Sequence, residues 1–106
     1  MKSAARVSLL VMLLVGSLGA HAAGKTHAVR IENFKFVPER LEVAKGDTIV
    51  WTNMDILPHS VTAEQAKIES GVLQTGKSFK LVARKPGEID YICRLHPVMK
   101  GVVVVK

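Results

Sequence analysis

Cys93, His96 and Met99 fall in the spacing C-x-x-H-x-x-M, with Pro97 inside the motif. A thiol, an imidazole and a thioether within seven residues make a soft, polarizable set of metal donors. Such a set suits copper, because a protein using copper as a redox ion has to hold both Cu(I) and Cu(II). Cys93 is the only cysteine in the chain, so it has no partner thiol within the molecule and any disulfide would join two chains. A fourth donor is still needed. His59, in Leu57-Pro58-His59, is the best placed to complete a plane of two His and one Cys, with Met99 as a weak axial ligand. Taken singly, each residue has an ordinary explanation: a surface imidazole, a Met filling the core, a small buried thiol. Those explanations do not account for the joint spacing.

Donors drawn from two separate stretches need rigid elements beneath them, and the surrounding sequence supplies strands. Segments of about five to eight residues, rich in β-branched and aromatic side chains, recur between Gly, Pro, Asn and Asp, with no helical period. Ala28 to Val37 reads as one strand with a shift of register at Glu32-Asn33, ended by Pro38. Arg40 to Ala44 and Thr48 to Thr52 follow, the latter with Ile49 and Trp51 on one face. Asn53 to Pro58 is a loop, and the chain becomes extended again from His59 to Ala63. Residues 64 to 74 fit either one helical turn or an irregular excursion. Lys77 to Ala83, Ile89 to Cys93 and Gly101 to Val105 are further strands, and the four consecutive valines of the last suggest a strand covered on both faces. Cys93, His96 and Met99 then sit in the loop between the last two strands. Six to eight short strands with regular turns imply an all-β domain, a small antiparallel sandwich or barrel, with size favouring the sandwich.

The 106 residues carry 15 Lys and Arg against 9 Asp and Glu, a formal charge of +6, and 48% of them are hydrophobic. Two segments contribute differently to those totals. Residues 1–22 run from Lys2 and Arg6 through an apolar stretch, Val7 to Val15, to the small-residue ending Ala20-His21-Ala22. That is the pattern of a cleaved secretory signal peptide, too short for a stable membrane span. Cleavage before Ala23 leaves one domain, residues 23–106, and removes two basic side chains and no acidic one, so the charge falls to +4. The expected location is the periplasm. An exported domain this small buries only about 60% of its unfolded surface and commonly adds disulfides. This one cannot, which makes a bound metal a natural staple. No dense basic run with interleaved aromatics points to nucleic acid, and the mature form has no membrane span.

The sequence resembles the cupredoxins, the small blue copper proteins, and among them most closely the amicyanin group. The likeness runs from Phe34 to Val105. It is strongest at Trp51-Thr52-Asn53, at Pro58-His59, and from Asp90 to Gly101, where the two-residue gap between His96 and Met99 matches the short loop of that group. The resemblance implies a Greek-key β-sandwich of about eight strands holding one Cu(I)/Cu(II) ion, with His59, Cys93 and His96 as the strong ligands and Met99 axial. It also implies transfer of one electron between transient protein partners, a dehydrogenase as donor and a c-type cytochrome as acceptor for a monomeric carrier. Where the family commonly has Asn after the first ligand His, tying the two ligand loops together, this chain has Ser60. Asn53 is a candidate for part of the same bracing.

A site of fixed ligands with no paired nucleophile and base beside it does not read as an enzyme. The resemblance further implies that the His96 ring reaches the surface inside an apolar contact patch, which here would include Met54, Leu57, Pro58, Pro97 and Val98, rimmed by Arg94 and Lys100. The alternative is a periplasmic copper chaperone or storage protein, which would favour exposed, exchanging donors. A structural zinc site suits Met poorly, and a thiol enzyme using Cys93 and His96 would need an approach path and an oriented base.

Overall fold

The computed structural model describes residues 24–106, so the signal-peptide reading of residues 1–22 lies outside the described residues. Nine strands follow one another: β1 (Thr26–Glu32), β2 (Lys35–Val37), β3 (Arg40–Val43), β4 (Thr48–Asn53), β5 (Thr62–Ala63), β6 (Ile68–Glu69), β7 (Ser78–Val82), β8 (Gly87–Cys93) and β9 (His96–Val105), with a 3-10 turn at Glu64–Ala66. They form two sheets, of order β2-β1-β4-β7 and β3-β9-β8-β5-β6. This is the β-sandwich expected from the strand pattern. The count is nine because the ambiguous stretch after Ala63 contributes its own short hairpin, with Thr62 opposite Glu69 and Ala63 opposite Ile68.

The longer central strands obey the period of two. In β4, Ile49, Trp51 and Asn53 are buried while Thr48, Val50 and Thr52 are half-buried. Val29 and Ile31 of β1, Phe36 of β2, Tyr91 and Cys93 of β8, and Val103 and Val105 of β9 join them in one core. Each fully buried aliphatic side chain of this kind contributes about 1.5–3 kcal/mol. The valine run alternates as well: Val103 and Val105 are buried, but Val102 and Val104 are only half-buried. Their outer face is flanked by Arg40 and Asp90, and by Glu42 and Glu88, on the two neighbouring strands. It is not covered by a further layer.

Two pairings are parallel, not antiparallel as the turn pattern suggested. β1 runs parallel to β4, and β3 runs parallel to β9. The cause is a crossover: after the β1–β2 hairpin the chain lays β3 in the opposite sheet and returns with β4 beside β1. Local turn signals carry no information about such a return. Ala28 to Val37 is likewise not one strand with a shifted register. It is a tight antiparallel hairpin in which Glu32 pairs with Lys35 across Asn33 and Phe34, both left-handed at φ 53° and 60°. At the buried centre of β9, Gly101 lies opposite Tyr91. A Cβ at this position would collide with the Tyr91 phenol at Cζ and Oη, so glycine is required by packing.

A carboxylate closes the end of the sandwich near the chain's first strand. Asp47 Oδ1 accepts the Lys25 amide at 2.9 Å, and Oδ2 accepts the Ala44 amide at 2.9 Å and pairs with His27 Nε2 at 2.8 Å. The His27 bond foremost, then the Ala44 and Lys25 amides, hold its carboxyl down from 3.8 to about 2. A depressed carboxylate stabilises the fold above its unfolded value, and that contribution fades as pH falls through the folded value. Melting temperatures of the wild type and Asp47→Asn should therefore differ most near neutrality and converge as pH drops from about 4 toward 2. A gap that stays constant over that interval would show the carboxylate charge to be immaterial.

Candidate metal centre

The end of the sandwich where β4 exits and β8 turns into β9 brings His59 against Cys93 and the His96 ring near that of His59, with Met99 three residues further along β9. Cys93 is the last residue of β8 and His96 the first of β9. The connection is a two-residue turn, Arg94-Leu95, tighter than the open loop expected. Cys93 pairs with His96, but the preceding Ile92 pairs with Lys100, so Pro97, Val98 and Met99 bulge out of the ladder. Such a bulge re-aims side chains. Here Met99 turns inward, 3% exposed, and Val98 outward, 88% exposed.

His59 comes from the loop after β4, fixed at both ends. Asn53, fully buried, donates from Nδ2 to Leu57 O at 2.9 Å and to Leu73 O at 2.8 Å, and its Oδ1 accepts the Asp55 amide at 2.8 Å. Asn53 thus shapes the His59 loop; it does not tie that loop to Cys93. A bridge between His59 and Leu73, with amide bonds in both directions, holds the other end.

Within this frame His59 and Cys93 are both 0% exposed, and His59 Nδ1 faces Cys93 Sγ at 3.7 Å. The far ring nitrogen, Nε2, meets Asp55 Oδ2 at 2.7 Å. Burial alone would raise the Asp55 carboxyl, but amides of Phe34 and Asn33 and the bond to His59 outweigh it and leave it below its ordinary value. An ionised Asp55 accepts only, so Nε2 carries the ring proton and Nδ1 presents its lone pair to the sulfur side. This is the arrangement in which a metal-binding imidazole is oriented by a carboxylate on its other nitrogen. Sequence reasoning missed Asp55. Its signal was a carboxylate four residues before the candidate His, in a loop where an acidic side chain has no helix to face.

Ser60 joins the two stretches. Its amide donates to Cys93 Sγ at 3.3 Å, and its hydroxyl accepts the Arg94 amide at 2.8 Å. The hydroxyl also pairs with Thr62 Oγ1 at 2.9 Å, which donates to Glu69 Oε1 at 3.1 Å, and Glu69 holds the Arg94 guanidinium at 3.3 Å. A closed ring of side chains therefore does the tying expected of Asn. It also engages Arg94, leaving Lys100 and Lys35 as rim cations without an ion pair among the described residues.

His96 is half-buried. Its ring centroid lies 5.2 Å from that of His59, and both rings meet the edge of Phe34, at 5.1 and 5.5 Å. Among the described residues no three His, Cys, Asp or Glu side chains come together as a ready-made cage, His59, Cys93 and His96 included. The His59–Cys93 pair nevertheless meets a coordination test. Sulfur at about 2.3 Å and nitrogen at about 2.0 Å from one ion, near 120° apart, lie about 3.7 Å from each other. The soft donor set and that spacing fit copper.

Comparison with known proteins gives the family and the fold. A family model of the cupredoxin-like domain matches residues 5–105. Amicyanin-alpha of Methylorubrum extorquens is 34% identical, over 96% of this chain and 92% of its own. Amicyanin of Paracoccus denitrificans is 30% identical, over 82% of this chain and 70% of its own. Among solved structures, the Cu(I) form of a methionine-to-alanine variant of amicyanin superposes with a TM-score of 0.74 at 30% identity, over 82% of this chain and 88% of that one. A copper-containing nitrite reductase of Thermus scotoductus superposes with a TM-score of 0.73 at 27% identity, but over only 24% of its own chain.

Proposed function

This chain belongs to the cupredoxin family, and from that membership we propose that it carries single electrons in the periplasm on one copper ion, which His59, Cys93, His96 and Met99 would hold. At the level of the family it is a blue copper electron-transfer protein of the amicyanin-like kind. The observation that carries the finer reading is the buried approach of His59 Nδ1 to Cys93 Sγ at 3.7 Å.

Copper, when bound, supplies a redox centre that alternates between Cu(I) and Cu(II). The chain's own part is to keep the donors still while the charge changes. Asp55 fixes the His59 tautomer, and the Ser60 amide donates to the Cys93 sulfur and holds it in place. The Ser60–Thr62–Glu69–Arg94 ring ties the β8–β9 turn to the His59 loop, so neither donor stretch moves independently. Rigid supports of this kind keep reorganisation between oxidation states small.

Electrons would enter and leave through His96, whose surroundings suit brief protein contacts. The two donor loops carry Met54, Ile56, Leu57, Leu95 and Val98, all exposed, and Phe34 touches the His96 ring. An apolar centre with a charged rim is the form of small, transient redox interfaces. We assign it a dehydrogenase as donor and a c-type cytochrome as acceptor. The carrier role is preferred to an enzymatic one because amicyanin-alpha matches nearly whole chain against whole chain, whereas the nitrite reductase matches over a quarter of its length.

Addition of Cu(II) to the apo-protein tests the reading. An intense thiolate-to-copper absorption in the visible, bleached by one-electron reduction and restored by oxidation, is expected. A colourless adduct would overturn it, and rapid loss of Cu(I) to a chelator would turn it toward copper storage or delivery.

A further inference from the structure

Phe34 occupies a conformation that its residue type resists. The two-residue turn joining β1 and β2 has both central residues left-handed, the form that favours Asn-Gly. Asn33 suits its place. Phe34, at φ 60°, stands where glycine is the usual solution, and a side chain with a Cβ is strained there. Burial does not explain the choice, because Phe34 is 47% exposed.

What the ring does contact is the candidate metal centre. It stands edge-on to His59 with centroids 5.5 Å apart at 89°, and edge-on to His96 at 5.1 Å and 86°. The strained backbone beneath it is held by Asp55, whose carboxylate accepts the Asn33 amide at 2.7 Å and the Phe34 amide at 3.1 Å. The same carboxylate orients His59. One acidic side chain therefore locks the turn and the first imidazole together, and the ring carried by that turn touches both imidazoles.

We propose that Phe34 is a positioning residue: an aromatic wedge, kept left-handed by Asp55, that sets the ring orientations of His59 and His96 before metal binds. This rests on the copper-site reading above. A planar ring of fixed attitude restricts both imidazoles, whereas an aliphatic side chain of similar bulk fills the space without dictating a plane. Restricting the donors in the apo-protein lowers the conformational cost of binding.

Three variants separate orientation from mere cover. Phe34→Gly relaxes the turn while removing the ring, Phe34→Leu keeps apolar bulk, and Phe34→Tyr keeps the ring. In the apo-protein, Gly and Leu should broaden the His96 ring resonances in NMR, with the melting temperature of Phe34→Gly within about 5 °C of wild type, since relief of strain offsets lost contact. Cu(I) competition should show affinity weakened roughly tenfold in both, at the lower end of the range for groups that orient ligands, and wild-type affinity in Phe34→Tyr. Leu matching wild type in affinity and line width would overturn the proposal in favour of simple cover. So would a large fall in melting temperature that parallels the loss of affinity. Failure of the wild type to turn blue would instead reject the copper site itself.

Discussion

Cys93→Ala should fold and give no blue colour at any copper concentration. The thiol is fully buried, receives the Ser60 amide at 3.3 Å and faces His59 Nδ1. It is the one donor in the set whose bond to Cu(II) produces intense visible absorption, so its loss removes the band outright and does not merely shift it. Loss of a strong donor should also weaken Cu(I) binding by more than the roughly 10–100-fold typical of groups that only orient ligands. The apo-protein should lose about 1–3 kcal/mol of stability, because the buried Ser60 amide is left without its acceptor once the sulfur is gone. Visible spectra, chelator competition and thermal melting of the apo-protein measure the three effects. A retained visible band would require a different sulfur donor and would end the proposed ligand set.

Asp55→Asn should weaken Cu(I) binding by roughly 10–100-fold while leaving the core intact. The native carboxylate accepts three N–H groups, from Asn33, Phe34 and His59. A carboxamide has one oxygen to accept and a nitrogen that only donates. If the oxygen stays with the Asn33 amide, the nitrogen takes the place of Oδ2, where it cannot accept from Phe34 and drives the His59 ring proton from Nε2 to Nδ1. The imidazole would then point N–H, not a lone pair, at Cys93. Nitrogen chemical shifts of His59 report the tautomer directly, and copper competition reports the consequence. Unchanged affinity with the proton still on Nε2 would remove Asp55 from the machinery. The apo melting temperature should move little, since the side chain is 15% exposed and water can serve the turn amides.

What could be read in the sequence was what is local. The C-x-x-H-x-x-M cluster spans seven residues and announces its chemistry by residue type alone, and β4 shows its buried face as plain alternation. His59 was identified because a soft three-donor set needs a fourth. The tie between Ser60 and Arg94 joins residues 34 apart in sequence, and nothing near Ser60 reveals it. Residues 64 to 74 were ambiguous because their order comes from outside: Lys67 is left-handed at φ 57°, and Leu73 is held by amide bonds to His59. The parallel pairs were hidden for the same reason, since strand direction is set by a crossover between sheets. Phe34 misled most directly. As an apolar residue between Asn33 and Lys35 it fitted a strand, whereas its position is a turn that propensity assigns to glycine.

Because β9 lies between β3 and β8, a chain growing from its N-terminus carries a sheet with no middle until its final ten-residue strand arrives. During that interval the flanks of β3 and β8 are open edges, the kind that pair with other chains. Arg40 must wait for Val102 and Val43 for Val105, long-range closures that come late in folding. Cys93 is already present by then, but His96 and Met99 have yet to appear. A metal on the proposed donors would therefore bind only once His96 and Met99 are in place, and a product truncated before His96 would be an aggregation hazard, not a weaker copper protein.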